Sequence, residues 1–182
     1  MQADNILSMG LKGGPTQDEI MAVSLQKLNI EDGDVMADIG CGTAKISIEA
    51  SKKCSTVYAI DRRAEAVDYA KSEIEKAGRE NIILIHGEAS AALDDIGALD
   101  CAFLGGSGNI EIILEKLKSV VSGRIVVNAV LLDTVSRTIN KMKELGIFRE
   151  VVHVQVSRSY ELVGDIMFKP INPVYIIVGE VA

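Results

Sequence analysis

No tryptophan occurs among the 182 residues, and aromatic residues make up only 4% of them. Stacking platforms for single-stranded nucleic acid are therefore poorly supplied. An excess of basic charge is lacking too: 19 Lys and Arg against 26 Asp and Glu leave a formal net charge of −7. A general binder of phosphate backbones needs a basic stripe, so no nucleic-acid partner is expected. Long apolar runs are missing. Between Arg124 and Asp133 lie eight uncharged residues, far short of the roughly 20 that span a bilayer. The first 15 residues include Asp4 and Lys12 and carry no apolar core of a signal peptide. Cysteine is scarce and unpaired in pattern: Cys41, Cys54 and Cys101 are odd in number and form no C-x-x-C. These absences predict a soluble protein of the reducing cytoplasm, without a membrane partner.

What is present is ordinary globular composition, 48% apolar and 25% charged. At roughly 150 residues per domain, 1–182 reads as one domain. Short apolar runs alternate with helical patterns. Strands are expected at Val35–Ile39, Thr56–Ile60, Ile82–His86, Leu99–Leu104 and Arg124–Asn128, with helices near 43–52, 63–77, 89–95 and 109–119. Continuous apolar strands separated by helices of about 10–15 residues predict βαβ units and a parallel sheet covered on both faces. Upstream, in a leader and helix occupying 1–30, Thr16-Gln17-Asp18-Glu19 opens a helix over 16–28 with a capping-box pattern. Downstream, a helix near 131–145 ends at Gly146. Two strand-like runs follow, Phe148–Ser157 and Val174–Val181, separated by a loop or hairpin arm over 158–172. The fold class is thus α/β, Rossmann-like and doubly wound, with five parallel strands and a closing pair that brings an antiparallel strand to one edge.

The most informative stretch runs Asp38-Ile39-Gly40-Cys41-Gly42-Thr43-Ala44-Lys45. It is a strand end, a glycine turn and a helix start, the context in which nucleotide-type ligands meet a helix N-terminus. Glycines there permit the tight turn and remove the Cβ between backbone and ligand. A dinucleotide fingerprint would need a small residue at 45 to pack the helix on the strand beneath a pyrophosphate, and position 45 is Lys. The segment fits the S-adenosylmethionine (SAM) pattern D/E-x-G-x-G-x-G instead, with Ala44 in the last place. A carboxylate at Asp38 suits a ligand bearing an ammonium and a sulfonium and repels a pyrophosphate.

Asp61 ends the next strand, 21 residues after Gly40, where an acid can accept both ribose hydroxyls; it can equally cap the following helix. The third strand ends His86-Gly87-Glu88-Ala89, and the equivalent turn in such folds flanks an adenine, so Glu88 or the Ala89 backbone can meet the exocyclic amine. Glu88 as an ordinary acid at a helix start is the other reading. His86 and His153 lie far apart without ligand spacing and read as structural, and no metal is expected. Cys41 has no evident base beside it and reads as a small packing residue.

At these residues the chain resembles the decarboxylating cobalt-precorrin C15-methyltransferases, the T component of the anaerobic cobalamin route, which are class I SAM-dependent methyltransferases. Gly13-Gly14-Pro15-Thr16 and Phe103-Leu104-Gly105-Gly106-Ser107-Gly108 are the specific matches. Asp38–Thr43, Val57–Arg62, His86–Ala89, Gly123–Ala129 and Asn172-Pro173-Val174 extend the likeness nearly end to end. The resemblance implies a seven-stranded, mostly parallel sheet and cofactor contacts from Thr16, the loop Gly40, Cys41, Gly42, Thr43 and Ala44, Asp61 and Ala89, with Glu88 where the family has its usual acid. Ala44 replaces the family's last loop glycine and adds a methyl near the ligand. Thr16 has a second explanation as the helix cap.

The resemblance further implies a cobalt-containing corrinoid precursor as substrate, methylated at C15 while an acetate side chain loses carbon dioxide. Methyl transfer from a sulfonium is an in-line displacement that asks the protein for alignment and exclusion of water, so no catalytic residue is nominated. The substrate's carboxylates call for cations or amide donors. Candidates are Gly106, Ser107 and Gly108, Asn128, Arg137 and Arg158. The glycine segment can instead be only a turn, and either arginine a solvated surface group. A homo-oligomer, a tetramer by the resemblance, is expected from the apolar late strands, and a companion C5-methyltransferase is a candidate partner. Two alternatives stand: an RNA methyltransferase of the same fold, and a non-catalytic ligand-binding or assembly subunit.

Overall fold

The computed structural model describes residues 16–106 and 108–181; Ser107 and the Gly13-Gly14-Pro15 leader lie outside them. The central strands are mostly apolar because both sheet faces are covered there. Strands β1 (Val35–Ile39), β2 (Thr56–Asp61), β3 (Ile82–His86), β4 (Cys101–Leu104) and β5 (Arg124–Ala129) alternate with helices α2 (Lys45–Ala50), α3 (Ala64–Ala77), α4 (Ala89–Asp95) and α5 (Ile110–Val120). Helix α1 (Asp18–Leu28) precedes them; α6 (Leu132–Glu144), β6 (Phe148–Leu162) and β7 (Asp165–Glu180) follow. The strands form one sheet in the order β3-β2-β1-β4-β5-β7-β6. The first five run parallel; β7 runs antiparallel to both β5 and β6, and β3 and β6 are the edges.

The two faces divide the residues of each strand by parity, as a pleated strand requires. Ala37, Ile39, Ala102, Leu104, Ile125 and Val127 pack with Ile110, Leu114 and Leu117 of α5 on one face. Met36, Val57, Cys101, Phe103 and Val126 pack with Ile20 and Leu28 of α1 and Ile46 of α2 on the other. Asp38 has the parity of Met36. Its carboxylate is therefore carried to the α2 side, almost fully buried at 1% exposure.

β4 begins at Cys101 rather than Leu99 and several other ends shift by a residue or two; at three places the structure says more. Helix α1 begins at Asp18 with Gln17 as its N-cap and no side-chain cap bond, so the capping box is not formed. Its members are engaged elsewhere: Glu19 holds Arg158 in a two-pronged ion pair, and Lys45 donates to the carbonyl of Thr16 and pairs with Asp18. Helix α2 starts only at Lys45 because Ala44 is left-handed (φ 58°). The segment 158–172 is regular hairpin. β7 pairs with β5 only from Tyr175 onward, so the ribbon beyond that point is two strands paired with each other. It closes through Val163 (φ 53°) and Gly164 (φ 86°), and positive φ at both central positions is what a two-residue hairpin turn demands.

Candidate active site

The strand order reverses direction of growth between β1 and β4, and a cleft opens beyond the carboxyl ends of strands at such a switch point. Here it is a cavity of about 470 Å³ lined by the β1–α2 turn, the ends of β2 and β3, and the β4–α5 turn. That size is ordinary for a small-molecule site.

The floor is built from backbone packed on backbone. Gly40 is left-handed (φ +73°), and a Cβ on it would lie 3.1 Å from the Gly106 nitrogen; a Cβ on Gly105 would lie 3.1 Å from the Gly40 carbonyl oxygen. The N–H groups of Gly40 and Cys41 both donate to the Ile60 carbonyl, and that of Gly42 donates to Asp61. The N–H groups of Gly40, Cys41 and Gly42 are thus consumed within the protein, whereas a pyrophosphate site needs such donors open.

Two acids bracket the turn. Asp38 accepts a short hydrogen bond from the Ser47 hydroxyl at Oδ2, while its buried Oδ1 has no partner among the described residues. Loss of solvation pushes its carboxyl up to about 7, against the opposing effect of Ser47. Asp61 is also buried, 4% exposed. Burial pushes its carboxyl up, but hydrogen bonds from the Arg63 side chain and backbone and from the Gly42 N–H outweigh that and hold it below the usual range. Cys41 is buried and its thiol is pushed up by desolvation and the nearby acids, which fits a packing residue and not a nucleophile.

A precorrin methyltransferase domain model matches residues 11–179 of the chain. The chain belongs to the precorrin methyltransferase family. It is 52% identical over 177 residues, 94% of this chain and 96% of the relative, to a Methanosarcina acetivorans protein named "Probable cobalt-precorrin-6B C(15)-methyltransferase (decarboxylating)". A solved structure from Methanobacterium thermoautotrophicum, described as precorrin 8W decarboxylase, superimposes with a TM-score of 0.89 at 32% identity and 92% coverage of both chains. The precorrin-6Y C5,15-methyltransferase of Geobacter metallireducens superimposes with a TM-score of 0.86 at 35% identity, covering 91% of this chain and 90% of that one. The fold is that of SAM-dependent class I methyltransferases, and the protein is a methyltransferase of the precorrin type.

Most residues nominated from sequence converge on the cleft of this methyltransferase. Thr16, Asp38, Gly40, Cys41, Gly42, Thr43, Asp61, Glu88, Ala89, Gly106 and Gly108 all line it. Ala44 does not. Its left-handed backbone turns the methyl into a buried cluster with Cys41, Ala59, Ala70 and Ile74, so it adds nothing to the ligand side. Glu88 is the N-cap residue of α4 and pairs loosely with Arg62. Asn128, Arg137 and Arg158 are not among the lining residues, and each is committed elsewhere. Asn128 exchanges hydrogen bonds with Ser24 and pins α1 to the sheet. Arg137 grips Glu111 with two bonds of 2.7 Å, and Arg158 grips Glu19.

The sequence reading missed Ser47, Arg63 and Phe103. Ser47 and Arg63 hold the two acids, and Arg63 and Phe103 both line the cavity. Phe103 was visible as the β4 residue of Asp38's parity, its neighbour in register. Ser47 and Arg63 carry no motif of their own.

Proposed function

We propose that the protein is a SAM-dependent C-methyltransferase acting on a cobalt-precorrin-6B-type corrinoid, methylating C15 with decarboxylation of an acetate side chain. The observation that carries the cofactor reading is the pair of buried carboxylates on either side of a glycine turn. The unpartnered Asp38 Oδ1 suits an ammonium, Asp61 suits a ribose diol, and the absence of a Cβ on Gly40 lets the turn pack directly on the Gly105–Gly106 backbone. When bound, SAM supplies a methyl group on a sulfonium, already activated for in-line displacement. The chain's residues then orient and seal. Asp38 holds the amino-acid end, Asp61 the sugar, and the Gly87–Ala89 turn the adenine, while Phe103 and Ile113 form an apolar wall that keeps water from the methyl. The acceptor ring is enamine-like and supplies its own carbon nucleophile; the open space above Gly106 and Gly108 at the cavity wall supports its entry from that side.

Incubation with the cobalt-corrinoid intermediate and methyl-labelled SAM tests this. One label enters the ring for each carbon dioxide released; carbon dioxide release without label, or label without carbon dioxide, contradicts it. The reading also includes a cytoplasmic enzyme, a tetramer and contact with a companion C5-methyltransferase. The exposed apolar ribbon supports self-association, with Val163 97%, Ile166 75% and Phe168 67% exposed. Light scattering is expected to give about four times the 19.5 kDa chain mass, falling when Phe168→Asp is introduced.

A further inference from the structure

Asp61 has no lone pair to spare. An ionised carboxylate offers about four acceptor positions, two on each oxygen. Oδ1 accepts from the Arg63 backbone N–H and from Arg63 Nε, each at 3.0 Å; Oδ2 accepts from the Gly42 N–H at 3.0 Å and from Arg63 Nη2 at 2.8 Å. Two of these donors are backbone groups of the turns that fix the carboxylate in place. The other two belong to one side chain and fall one on each oxygen.

A ribose diol offers the same thing, two donors on adjacent atoms, one for each oxygen of a facing carboxylate. The guanidinium therefore sits on Asp61 where the sugar would sit. It also lines the same cavity, and Nη2 lies 3.8 Å from where a Gly42 Cβ would project. Asp61 cannot yield, because its side chain is 3% exposed; Arg63 can, because its side chain is 38% exposed and has a route to solvent.

We infer that Arg63 is an internal surrogate for the ribose hydroxyls, a latch that fills the sugar seat in the free protein and must leave Asp61 when the nucleoside enters. The inference rests on the SAM reading of the cleft. Each entry exchanges two hydrogen bonds from a cation for two from neutral hydroxyls, which lowers nucleoside affinity. Each departure is assisted by the returning guanidinium, which keeps the buried acid from being left unpaired. The device favours release of the demethylated product, whose sugar is the same as that of SAM.

Calorimetry on the full chain tests it with S-adenosylhomocysteine and its 2′,3′-dideoxy analogue, using wild type, Arg63→Met and Arg63→Lys. Both variants are first checked for a cooperative thermal transition. The methionine variant is expected to bind S-adenosylhomocysteine roughly tenfold more tightly than wild type and the dideoxy analogue no more tightly, because only the diol competes for Asp61. The lysine variant, which keeps the charge without the fork, falls between. Weaker or equal binding of S-adenosylhomocysteine by Arg63→Met overturns the latch, as does equal tightening for both ligands, which is mere clearance of bulk. If wild type binds S-adenosylhomocysteine not at all, the cofactor reading itself falls and takes the latch with it.

Discussion

With the ammonium of the cofactor on Asp38, as proposed, affinity should depend on pH in a defined window. Burial raises it to about 7, with Ser47 donating to one oxygen and the charge of Asp61 adding a smaller upward push. Asp61 itself is held low and stays ionised throughout. An ammonium ligand needs Asp38 ionised and lowers its pKa on binding, so binding below pH 7 expels a proton. Affinity is therefore level above pH 7 and falls as pH drops. Relative to that plateau, it is about twofold weaker at pH 7 and about thirtyfold weaker at pH 5.5. Stability of the free protein moves the other way. A carboxyl raised from its ordinary 3.8 contributes stability that is full below that value and lost as pH rises through about 7. Ligand-induced thermal stabilisation should hence be larger at pH 8 than at pH 5.5. Ser47→Ala removes the hydroxyl donor, keeps the Ser47 backbone contribution and moves the inflection upward; Asp38→Asn flattens the profile at the weak end. Calorimetry with S-adenosylhomocysteine between pH 5.5 and 8 measures this directly. A level wild-type profile across that range would refute the assignment of Asp38 to the ammonium.

Gly40→Ala places a Cβ 3.1 Å from the Gly106 nitrogen in a left-handed residue; it should cost about 1–2 kcal/mol of stability for the backbone alone and weaken S-adenosylhomocysteine binding by more than tenfold, read by melting and calorimetry. Ala44→Gly removes a left-handed penalty but also a buried methyl and backbone restraint, which offset to within about 1 kcal/mol; it should melt within about 3 °C of wild type and bind the ligand equally. A large change in its affinity would put that methyl in the cleft after all. Asp61→Ala should weaken binding at least tenfold while leaving Arg63 without its main acceptor, and unchanged affinity would remove the sugar from this position.

The sheet was legible because its central strands are buried on both faces and so read as mostly apolar runs, with a helix-length interval fixing parallel neighbours. The glycine turn and Asp61 were legible for a different reason: the turn needs residues without a Cβ at 40 and 42, and a strand end needs no tertiary knowledge to be located. What escaped depends on distant pairing. Arg137 and Arg158 read as free cations in the chain, yet Glu111 lies 26 residues and Glu19 139 residues away in sequence, and only the fold brings them together. Thr16 and Glu19 form a capping pattern, but the fold gave Glu19 a stronger partner in Arg158, so the helix starts two residues later. The ribbon past Val156 was obscured by Gly164 and Pro170, which are breakers inside a sheet but are tolerated in a two-stranded arm whose outer edges carry no ladder. Ser47 and Arg63 hold the two acids through side-chain contacts that no spacing announces.

A crystal structure of the chain with S-adenosylhomocysteine tests the account where it is most exposed. The amino-acid end should lie against residues 38–44 with its ammonium on Asp38 Oδ1 and both ribose hydroxyls on Asp61. Nucleoside density at any other place on the protein, or a sugar that leaves Asp61 untouched, would contradict it.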